Sequence, residues 1–187
     1  MRRRRASPGG AETLYGGSVN GPFAIRAATT ADLGTIADNL VEGLATYRSW
    51  TPTAWDPPAR TEMLLGLLQR FPRDGSWAQV AFAGSDPAGH VMIRHDRDED
   101  GEARPHVALL TQLFVREQHW GTGLAQQLHA IGVAHMAERG FTLGRLLVAS
   151  GHRRAEAFYA RQGWTSTGRL ERSGELGLDL AEYVLPL

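Results

Sequence analysis

Two glycines, Gly121 and Gly123, stand directly before an uninterrupted helical pattern in the stretch REQHWGTGLAQQLH. Glycine contributes little to helix stability, but because it has no side chain it lets another molecule come close to the backbone. The first N–H groups of a helix have no partner within the helix and carry the positive end of its dipole. These residues therefore predict an anion-binding site, and phosphate is the usual ligand of such a site.

The composition excludes several classes of chemistry. The chain of 187 residues has no cysteine, which excludes disulfides, thiolate metal sites and a cysteine nucleophile. All 20 basic residues are arginine, which excludes Schiff-base catalysis by lysine and the P-loop, whose lysine contacts nucleotide phosphates. The net charge is zero and no apolar run approaches the length of a membrane span. We therefore expect a cytoplasmic protein that binds neither nucleic acid nor membranes.

The elements that must position the glycines alternate along the chain. Strand patterns cover residues 22–28, 77–84, 90–96, 106–115 and 144–150, and weaker ones cover 164–170 and 176–185. Apolar residues recur at helical spacing in residues 33–44, 59–71, 121–139 and 152–162. The predicted order is β-α-α-β-β-β-α-β-α-β-β, an α/β fold with a mixed sheet and helices on both faces. We predict one domain over residues 22–187, preceded by a disordered tail at 1–21.

The residues alone leave three interpretations of the glycine turn open. A dinucleotide-binding fold needs a third glycine, but Gln126 stands at that position. Such a fold also has its glycine turn after the first strand, whereas the turn here lies past the middle of the chain. A tight turn that only packs a helix against a strand is as compatible with Gly121 and Gly123 as a phosphate site.

The stretch VREQHWGTGLA resembles the cofactor-binding loop of the GCN5-related N-acetyltransferase (GNAT) superfamily. In that superfamily a long strand ends in an apolar residue, and a loop of the type basic-x-x-Gly-x-Gly/Ala opens the next helix. Here Val115 ends the strand, Gly123 and Ala125 occupy the two small positions, and Trp120 replaces the Arg or Gln at the head of the motif. A register shifted by two residues, headed by Gln118, would place the same backbone amides on a pyrophosphate.

A later stretch, HRRAEAFYARQGW, resembles a second motif of the same superfamily, Asn-x-x-Ala-x-x-Phe-Tyr followed by Gly-Phe. His152 stands in place of the Asn, and the matching residues are Ala155, Phe158, Tyr159, Gly163 and Trp164. Both motifs occur in order and in their expected strand–helix setting. The chain is therefore identified as a member of the superfamily over residues 22–187.

The resemblance implies an acyltransferase that uses acetyl-CoA or another acyl-CoA, in a fold whose fourth and fifth strands splay apart. The pantetheine arm would lie between residues 107–115 and 145–150, pairing with the backbone of Leu113, Phe114 and Val115. The remaining cofactor contacts implied by the resemblance are Gly121, Thr122, Gly123, Leu124, Ala125, Gln126, His152 and Arg154. For Arg154 a solvated helical side chain is an equally good interpretation.

The transfer needs a neutral amine and a proton for the leaving thiolate. Tyr159 resembles the general acid of the superfamily, although a tyrosine on a helix face also packs against a sheet. Relatives often carry a glutamate base on one of the splayed strands, but Leu109 and Leu147 stand there, and Gln112 is not a useful proton acceptor. The other candidates are expected to be solvated: Glu42, Glu62, Glu117 and His106. No base is assignable, which fits deprotonation through water or an amine of low pKa.

The acceptor is expected between the first two helices and the late strands. The stretch YRSWTPTAWDPP offers Tyr47, Trp50 and Trp55 as an aromatic wall, although the tryptophans would pack equally well under the loop. Such a wall favours a small amine with apolar bulk, such as an antibiotic, amino acid or polyamine derivative. Protein N-termini, lysines, longer or carrier-bound acyl groups and a homodimer stay open. The alternative class is a non-catalytic acyl-CoA sensor, which the missing base favours and Tyr159 disfavours.

Two patterns that suggest metal binding lack the spacing for it. Residues 96–102, DRDEDGE, begin like a calcium loop, but Val107 stands where such a loop needs a bidentate glutamate. His129 and His135 are six residues apart on a helix, which does not bring them together as a pair of ligands. We predict an acidic hairpin loop at 96–102 and no metal cofactor.

Overall fold

The computed structural model describes residues 22–51, 55–71, 75–98 and 100–187, so the predicted tail at 1–21 lies outside the described residues. The strands are β1 Ala24–Ala27, β2 Trp77–Ala83, β3 Asp86–Arg97, β4 Ala103–Val115, β5 Leu143–Ala149, β6 Thr165–Arg172 and β7 Asp179–Pro186. The helices are α1 Leu33–Ala45, α2 Arg60–Arg70, α3 Leu124–Glu138 and α4 Arg153–Arg161. The predicted element order is confirmed.

The strands form one mixed sheet in the order β1-β2-β3-β4-β5-β7-β6. Strands β4 and β5 pair in parallel, and the other neighbouring strands of the described chain pair antiparallel. A parallel pair requires a crossover connection, and α3 supplies it. This arrangement confirms the α/β fold class that the alternation of strand and helix patterns predicts.

The helix after the glycines begins later than the sequence predicts. Gly121 and Gly123 have φ angles of 78° and 87°, in the left-handed region, so neither belongs to the right-handed helix that starts at Leu124. Gly140, with φ of 79°, follows the end of the helix as predicted. None of the described helices is long and apolar enough to cross a membrane.

Each face of the sheet has its own apolar core. One core lies under α3 and α4 and is built from residues that include Val91, Ile93, Leu110, Leu124, Leu128, Met136, Leu146 and Tyr159. The other lies under α1 and α2 and includes Leu33, Ile36, Leu40, Leu44, Met63, Leu67, Val80 and Met92. Successive members within α1, α2 and α3 lie three, four or eight residues apart, which puts them on one face of each helix.

The paired part of β4 and β5 is short. Their parallel register runs from Val107 opposite Leu143 to Leu110 opposite Leu146 and goes no further, although both strands continue. At this point the register of β4 with β3 also shifts, and Thr111 is the extra residue. Because a bulge bends the strand that carries it, β4 turns away from β5 beyond Thr111. The predicted splay of the fourth and fifth strands is confirmed.

Gly43 allows α1 to lie directly against the diverging part of β4. A Cβ atom at this position would overlap the ring of Phe114. Glycine in the middle of a helix costs about 1 kcal/mol relative to alanine, and here that cost is offset by close packing on Phe114. The helix and the splayed strand therefore form a common wall.

Two histidines are buried within the domain in their neutral form. Burial lowers the pKa of His90 and of His129 to about 4. His129 is held by Trp164, whose indole Nε1 donates a hydrogen bond of 2.8 Å to His129 Nε2. An Nε2 atom that accepts a hydrogen bond requires the proton of the neutral ring to be on Nδ1.

We expect the free energy of unfolding to fall as the pH drops from about 6.5 towards about 4. In this window the histidines of the unfolded chain bind protons that the buried ones exclude, so acid favours unfolding. Above about pH 6.5 these histidines are neutral in both the folded and the unfolded chain. Their contribution to the free energy of unfolding is then complete, at up to about 3 kcal/mol for each histidine. Urea unfolding at a series of pH values measures the slope. His129→Gln retains an acceptor for Trp164 and should make the slope of unfolding free energy against pH shallower. An unchanged slope would contradict the assignment of the slope to the buried histidines.

Candidate active site

A cleft of about 610 Å³ opens where β4 and β5 diverge. One end is lined by the glycine turn and by α4, and we call it the turn end. The opposite end is lined by α1, α2 and the loop between β6 and β7, and we call it the α1–α2 end. The cleft therefore passes through the gap in the sheet and connects its two faces.

The turn end exposes the backbone of Gly121 and Gly123. A Cβ atom built on either glycine would meet nothing within 4 Å, so both face open space in the cleft. The N-cap residue, Gly123, has no side chain to cap α3, and the amides of Leu124, Ala125 and Gln126 have no partner within the helix. Several N–H groups at a positive helix end thus face one volume, as an anion site requires.

Trp120 and Arg154 form a stacked pair at the turn end. The guanidinium carbon of Arg154 lies 3.5 Å from the centroid of the Trp120 ring, a cation–π contact. The indole Nε1 of Trp120 donates a hydrogen bond of 2.8 Å to the carbonyl oxygen of Val115. The tryptophan that departs from the motif is therefore held by β4, and it in turn holds an arginine at the cleft.

Beyond Thr111 the edge of β4 that faces β5 has no strand partner in the described chain. The residues predicted to pair with pantetheine, Leu113, Phe114 and Val115, all line the cleft along this edge. Their other edge pairs with β3, from Val91 opposite Leu113 to Gly89 opposite Val115. An extended chain of suitable length could therefore add to β4 as a strand does, with the carbonyl of Val115 already accepting a bond from Trp120.

Tyr159, on α4, lines the cleft. Its ring is buried and makes edge contacts with the rings of Phe158 and Trp164, at centroid distances of 5.3 and 6.0 Å. No described residue hydrogen-bonds its hydroxyl, and burial raises the pKa of the phenol well above its usual range. The hydroxyl is therefore protonated at neutral pH and available as a donor.

The predicted aromatic wall is built in two layers. Tyr47 lines the cleft, whereas Trp50 and Trp55 contact Tyr47 at centroid distances of 4.8 and 5.9 Å and do not line it. Trp55 Nε1 also donates a hydrogen bond of 2.7 Å to the carbonyl of Leu176, in the β6–β7 loop. Trp50 and Trp55 therefore support Tyr47 and tie two loops together. Burial raises the pKa of Tyr47 to about 12.

His152, which replaces the motif asparagine, caps α4. Its Nδ1 accepts a hydrogen bond of 3.1 Å from the backbone N–H of Ala155. An asparagine side chain makes the same kind of bond, so the replacement keeps the helix start. The imidazole also packs edge-on against Tyr47 and Trp50, at 4.9 and 5.0 Å, and lines the cleft.

A buried chain of hydrogen bonds reaches the cleft at Gln112, and sequence reasoning missed it. Arg116 Nε donates to Asn39 Oδ1 at 2.8 Å, and Asn39 Nδ2 lies 3.2 Å from His90 Nδ1. His90 Nε2 in turn lies 3.1 Å from Gln112 Oε1. The available signal is Asn39, a polar residue between Ile36 and Leu40 on the buried side of α1.

Carboxylates are scarce in the cleft. Of the four surface candidates, Glu42 lies 3.4 Å from Arg116 and Glu62 accepts from the backbone of Ala59, and none lines the cleft. Glu175 is the one acidic residue among the described lining residues, and it pairs with Arg70 at 3.3 Å. The described lining thus supplies no unpaired carboxylate, and the Nδ1 of its histidine, His152, is already occupied by the N–H of Ala155.

The two metal-like patterns have structural roles. The hairpin between β3 and β4 is closed by Asp98, whose Oδ1 accepts from the backbone N–H of Asp100 and Glu102 at 3.1 and 2.9 Å. His135 stacks on Trp77 with a centroid distance of 4.0 Å, away from the bond between His129 and Trp164. Within the described ranges no group of three or more His, Asp or Glu residues could hold a metal ion.

Solved structures with this fold are numerous. PaiA N-acetyltransferase of Thermoplasma acidophilum, in complex with coenzyme A, is 17% identical with a TM-score of 0.63, covering 88% of this chain and 99% of that one. YncA of Salmonella typhimurium, with its cofactor acetyl-CoA, is 19% identical with a TM-score of 0.65, covering 89% and 94%. A ribosomal-protein-alanine N-acetyltransferase of Brucella melitensis is 23% identical with a TM-score of 0.65, covering 87% and 99%.

At these identities the likeness concerns the fold. No curated protein sequence matches the chain. The family model described as the acetyltransferase (GNAT) family matches residues 42–164, more than half of the chain and all of the elements between α1 and α4. The protein therefore belongs to the GNAT family of acetyltransferases.

Proposed function

We propose that this protein transfers an acetyl group from acetyl-CoA, or a similar acyl group, to the amine of a small molecule. One observation carries the proposal: the open edge of β4, the uncapped start of α3 and the Tyr159 hydroxyl all face the same cleft. All of these groups lie within residues 22–187, which we propose to be the catalytic domain.

The turn end would bind the pyrophosphate. Amides from Gly121 to Gln126 donate to its oxygens, and Arg154, held flat by Trp120, adds a positive charge beside them. The pantetheine arm is an extended chain with two amide groups, which suits the unpaired backbone of Leu113 and Phe114. This placement directs the thioester through the gap in the sheet towards the α1–α2 end.

The reaction joins the amine nitrogen to the acyl carbon and breaks the bond between that carbon and sulfur. Tyr159 donates its hydroxyl proton to the departing sulfur and regains a proton from solvent after transfer. Its raised pKa keeps the hydroxyl protonated at neutral pH, so the proton is present when charge develops on the departing sulfur. The amine loses its own proton to water, because the described lining of the cleft holds no unpaired carboxylate to accept it.

The α1–α2 end suits a small acceptor. Tyr47, Met63 and Leu67 give it an apolar wall, and Trp50 and Trp55 support Tyr47 from behind the lining. Without a general base, the acceptor must be partly neutral at working pH. An amine whose pKa is lowered by a neighbouring electron-withdrawing group meets this need.

The proposal is tested by incubating the protein with acetyl-CoA and a panel of amines. Release of free thiol and the mass of the acylated amine report turnover, and calorimetry reports the binding of CoA. We expect both. Binding without turnover for any amine would favour the sensor function instead, and failure to bind CoA would overturn the proposal.

We expect Arg154→Gln to weaken the binding of CoA by about tenfold at low salt, because a charge-assisted contact to phosphate is lost. The difference from the wild type should shrink as salt screens the charge. Arg153→Gln is the matched control, because Arg153 is the arginine next to Arg154 on α4, is exposed and does not line the cleft. Calorimetry at two salt concentrations measures both variants. Equal affinities in the two variants would show that Arg154 is a solvated side chain.

A further inference from the structure

The buried chain that ends at Gln112 has a direction. Arg116 Nε can only donate, so the atom facing it is the oxygen of the Asn39 amide. The nitrogen of that amide therefore faces His90 Nδ1, which must accept. A neutral imidazole that accepts at Nδ1 carries its proton on Nε2, and this N–H donates to Gln112 Oε1.

The amide of Gln112 is thereby turned in one way. Its oxygen is bound to His90, so its NH₂ group points away from His90. Gln112 lines the cleft, its Nε2 has no partner among the described residues, and it is not one of the buried atoms without a partner. The NH₂ group therefore faces the cleft as a hydrogen-bond donor.

Gln112 projects towards the α1–α2 end. It bonds to His90, which bonds to Asn39 on α1, so it lies on the face of the sheet that α1 and α2 cover. The same end is lined by Arg70 and Arg94, and its one described acidic residue, Glu175, is paired with Arg70. The oriented amide donor of Gln112 favours a substrate that carries a hydrogen-bond-accepting oxygen at this end.

We propose that the acceptor is an amine with a carbonyl or carboxylate oxygen on the neighbouring carbon, as in an α-amino acid or its amide. Gln112 Nε2 donates a hydrogen bond to that oxygen and so selects the acceptor. Asn39 and His90 are positioning residues, because they act by holding the Gln112 amide. The proposal rests on the proposed acyl transfer and names its substrate class.

The chemistry of such an acceptor agrees with the scarcity of bases in the cleft. A carbonyl group next to an amine withdraws electrons and lowers the amine pKa, so more of the amine is neutral. Polyamines have no such oxygen and carry further positive charges. The oriented Gln112 donor therefore disfavours polyamines, one of the classes that the aromatic wall alone left open.

Two amines that differ only in the oxygen-bearing group test the proposal. Phenylalaninamide and phenethylamine have the same ring and amine, and the wild type should prefer phenylalaninamide in kcat/KM. In Gln112→Leu we expect this preference to shrink by about tenfold, the size of one hydrogen bond. The pKa values of the two amines are the same for both proteins, so comparing the preferences removes their effect. Gln69→Leu, on the exposed side of α2, is the matched control.

The alternative target of Gln112 gives a different result. If its NH₂ group bound the thioester oxygen instead, Gln112→Leu would lower kcat by the same factor with both amines. The preference would then stay unchanged, which would overturn the proposal. A wild type that turns over both amines without a preference beyond their pKa difference would overturn it as well.

Asn39→Asp tests the direction of the chain. An aspartate at 39 can only accept, so His90 would place its proton on Nδ1 and its Nε2 would accept from the Gln112 amide. The Gln112 oxygen would then face the cleft, and the preference for phenylalaninamide should be lost. Nitrogen NMR of His90 reports which ring nitrogen carries the proton. A preference retained although the NMR places the proton on Nδ1 alone would contradict the positioning role.

A binding measurement separates failure of this proposal from failure of the proposed function. With CoA bound, phenylalaninamide should shift the NMR signals of the Gln112 NH₂ group, whereas phenethylamine should not. This readout needs no turnover. Turnover without a selective shift would overturn the acceptor class alone, and a selective shift without turnover would uphold it while contradicting catalysis.

Discussion

Tyr159→Phe should lower kcat by about a hundredfold while the affinity for CoA and the melting temperature stay nearly unchanged. The variant removes only the hydroxyl, so the ring keeps its contacts with Phe158 and Trp164. The hydroxyl has no hydrogen-bond partner among the described residues, so its loss leaves no buried group unpaired. Losing a positioned proton donor typically costs on the order of 10² to 10⁴ in rate.

Single-turnover rates with saturating amine measure this effect where chemistry limits the reaction. Tyr183→Phe is the matched control, because Tyr183 lies on β7 and does not line the cleft. Wild-type kcat in Tyr159→Phe would reduce Tyr159 to a packing residue. A loss of CoA affinity with kcat preserved would make it a cofactor contact instead.

Gly123→Ala should weaken the binding of CoA by more than about tenfold. Gly123 faces the open cleft, so a Cβ atom there would occupy the space that a phosphate needs to reach the amides at the start of α3. The left-handed φ of 87° adds a cost in stability, on the order of 1 kcal/mol, because alanine rarely adopts it.

Gly140→Ala separates these two effects. Gly140 has a similar φ of 79°, meets no atom within 4 Å of an added Cβ, and lies at the other end of the same helix. Both variants should lose similar stability in thermal unfolding, and only Gly123→Ala should lose affinity in calorimetry. Equal CoA affinity in the two variants would show that the pyrophosphate does not bind at the glycine turn.

Local patterns predicted most of the fold. The order of strands and helices is confirmed because the apolar periods of two and of three to four residues follow from the geometry of single elements. The splay of β4 and β5 was predicted only through the resemblance to the superfamily. Its cause, the extra residue at Thr111, depends on the register with β3 and is not visible in a single strand.

The contacts made by individual candidate residues depended on the tertiary structure. The sequence marked Trp120 as a departure from the motif, and the fold supplies its partners, Val115 and Arg154, which lie 5 and 34 positions away. The stretch YRSWTPTAWDPP predicted Trp50 and Trp55 as part of the wall of the acceptor pocket, but only packing puts them behind Tyr47. Such contacts join residues from different elements, so no local spacing encodes them.

The sequence by itself determined the family, the element order and the glycine-lined helix start, because each is written in a continuous stretch of chain. Tertiary structure alone decided that the Gln112 amide presents a hydrogen-bond donor to the cleft. Asn39, His90, Gln112 and Arg116 come from α1, from two strands and from the residue after β4, and none of them is informative by type. Arg116 can only donate, so the Asn39 oxygen must accept from it. Each following group in the series then has its donor and acceptor atoms decided by the group before it.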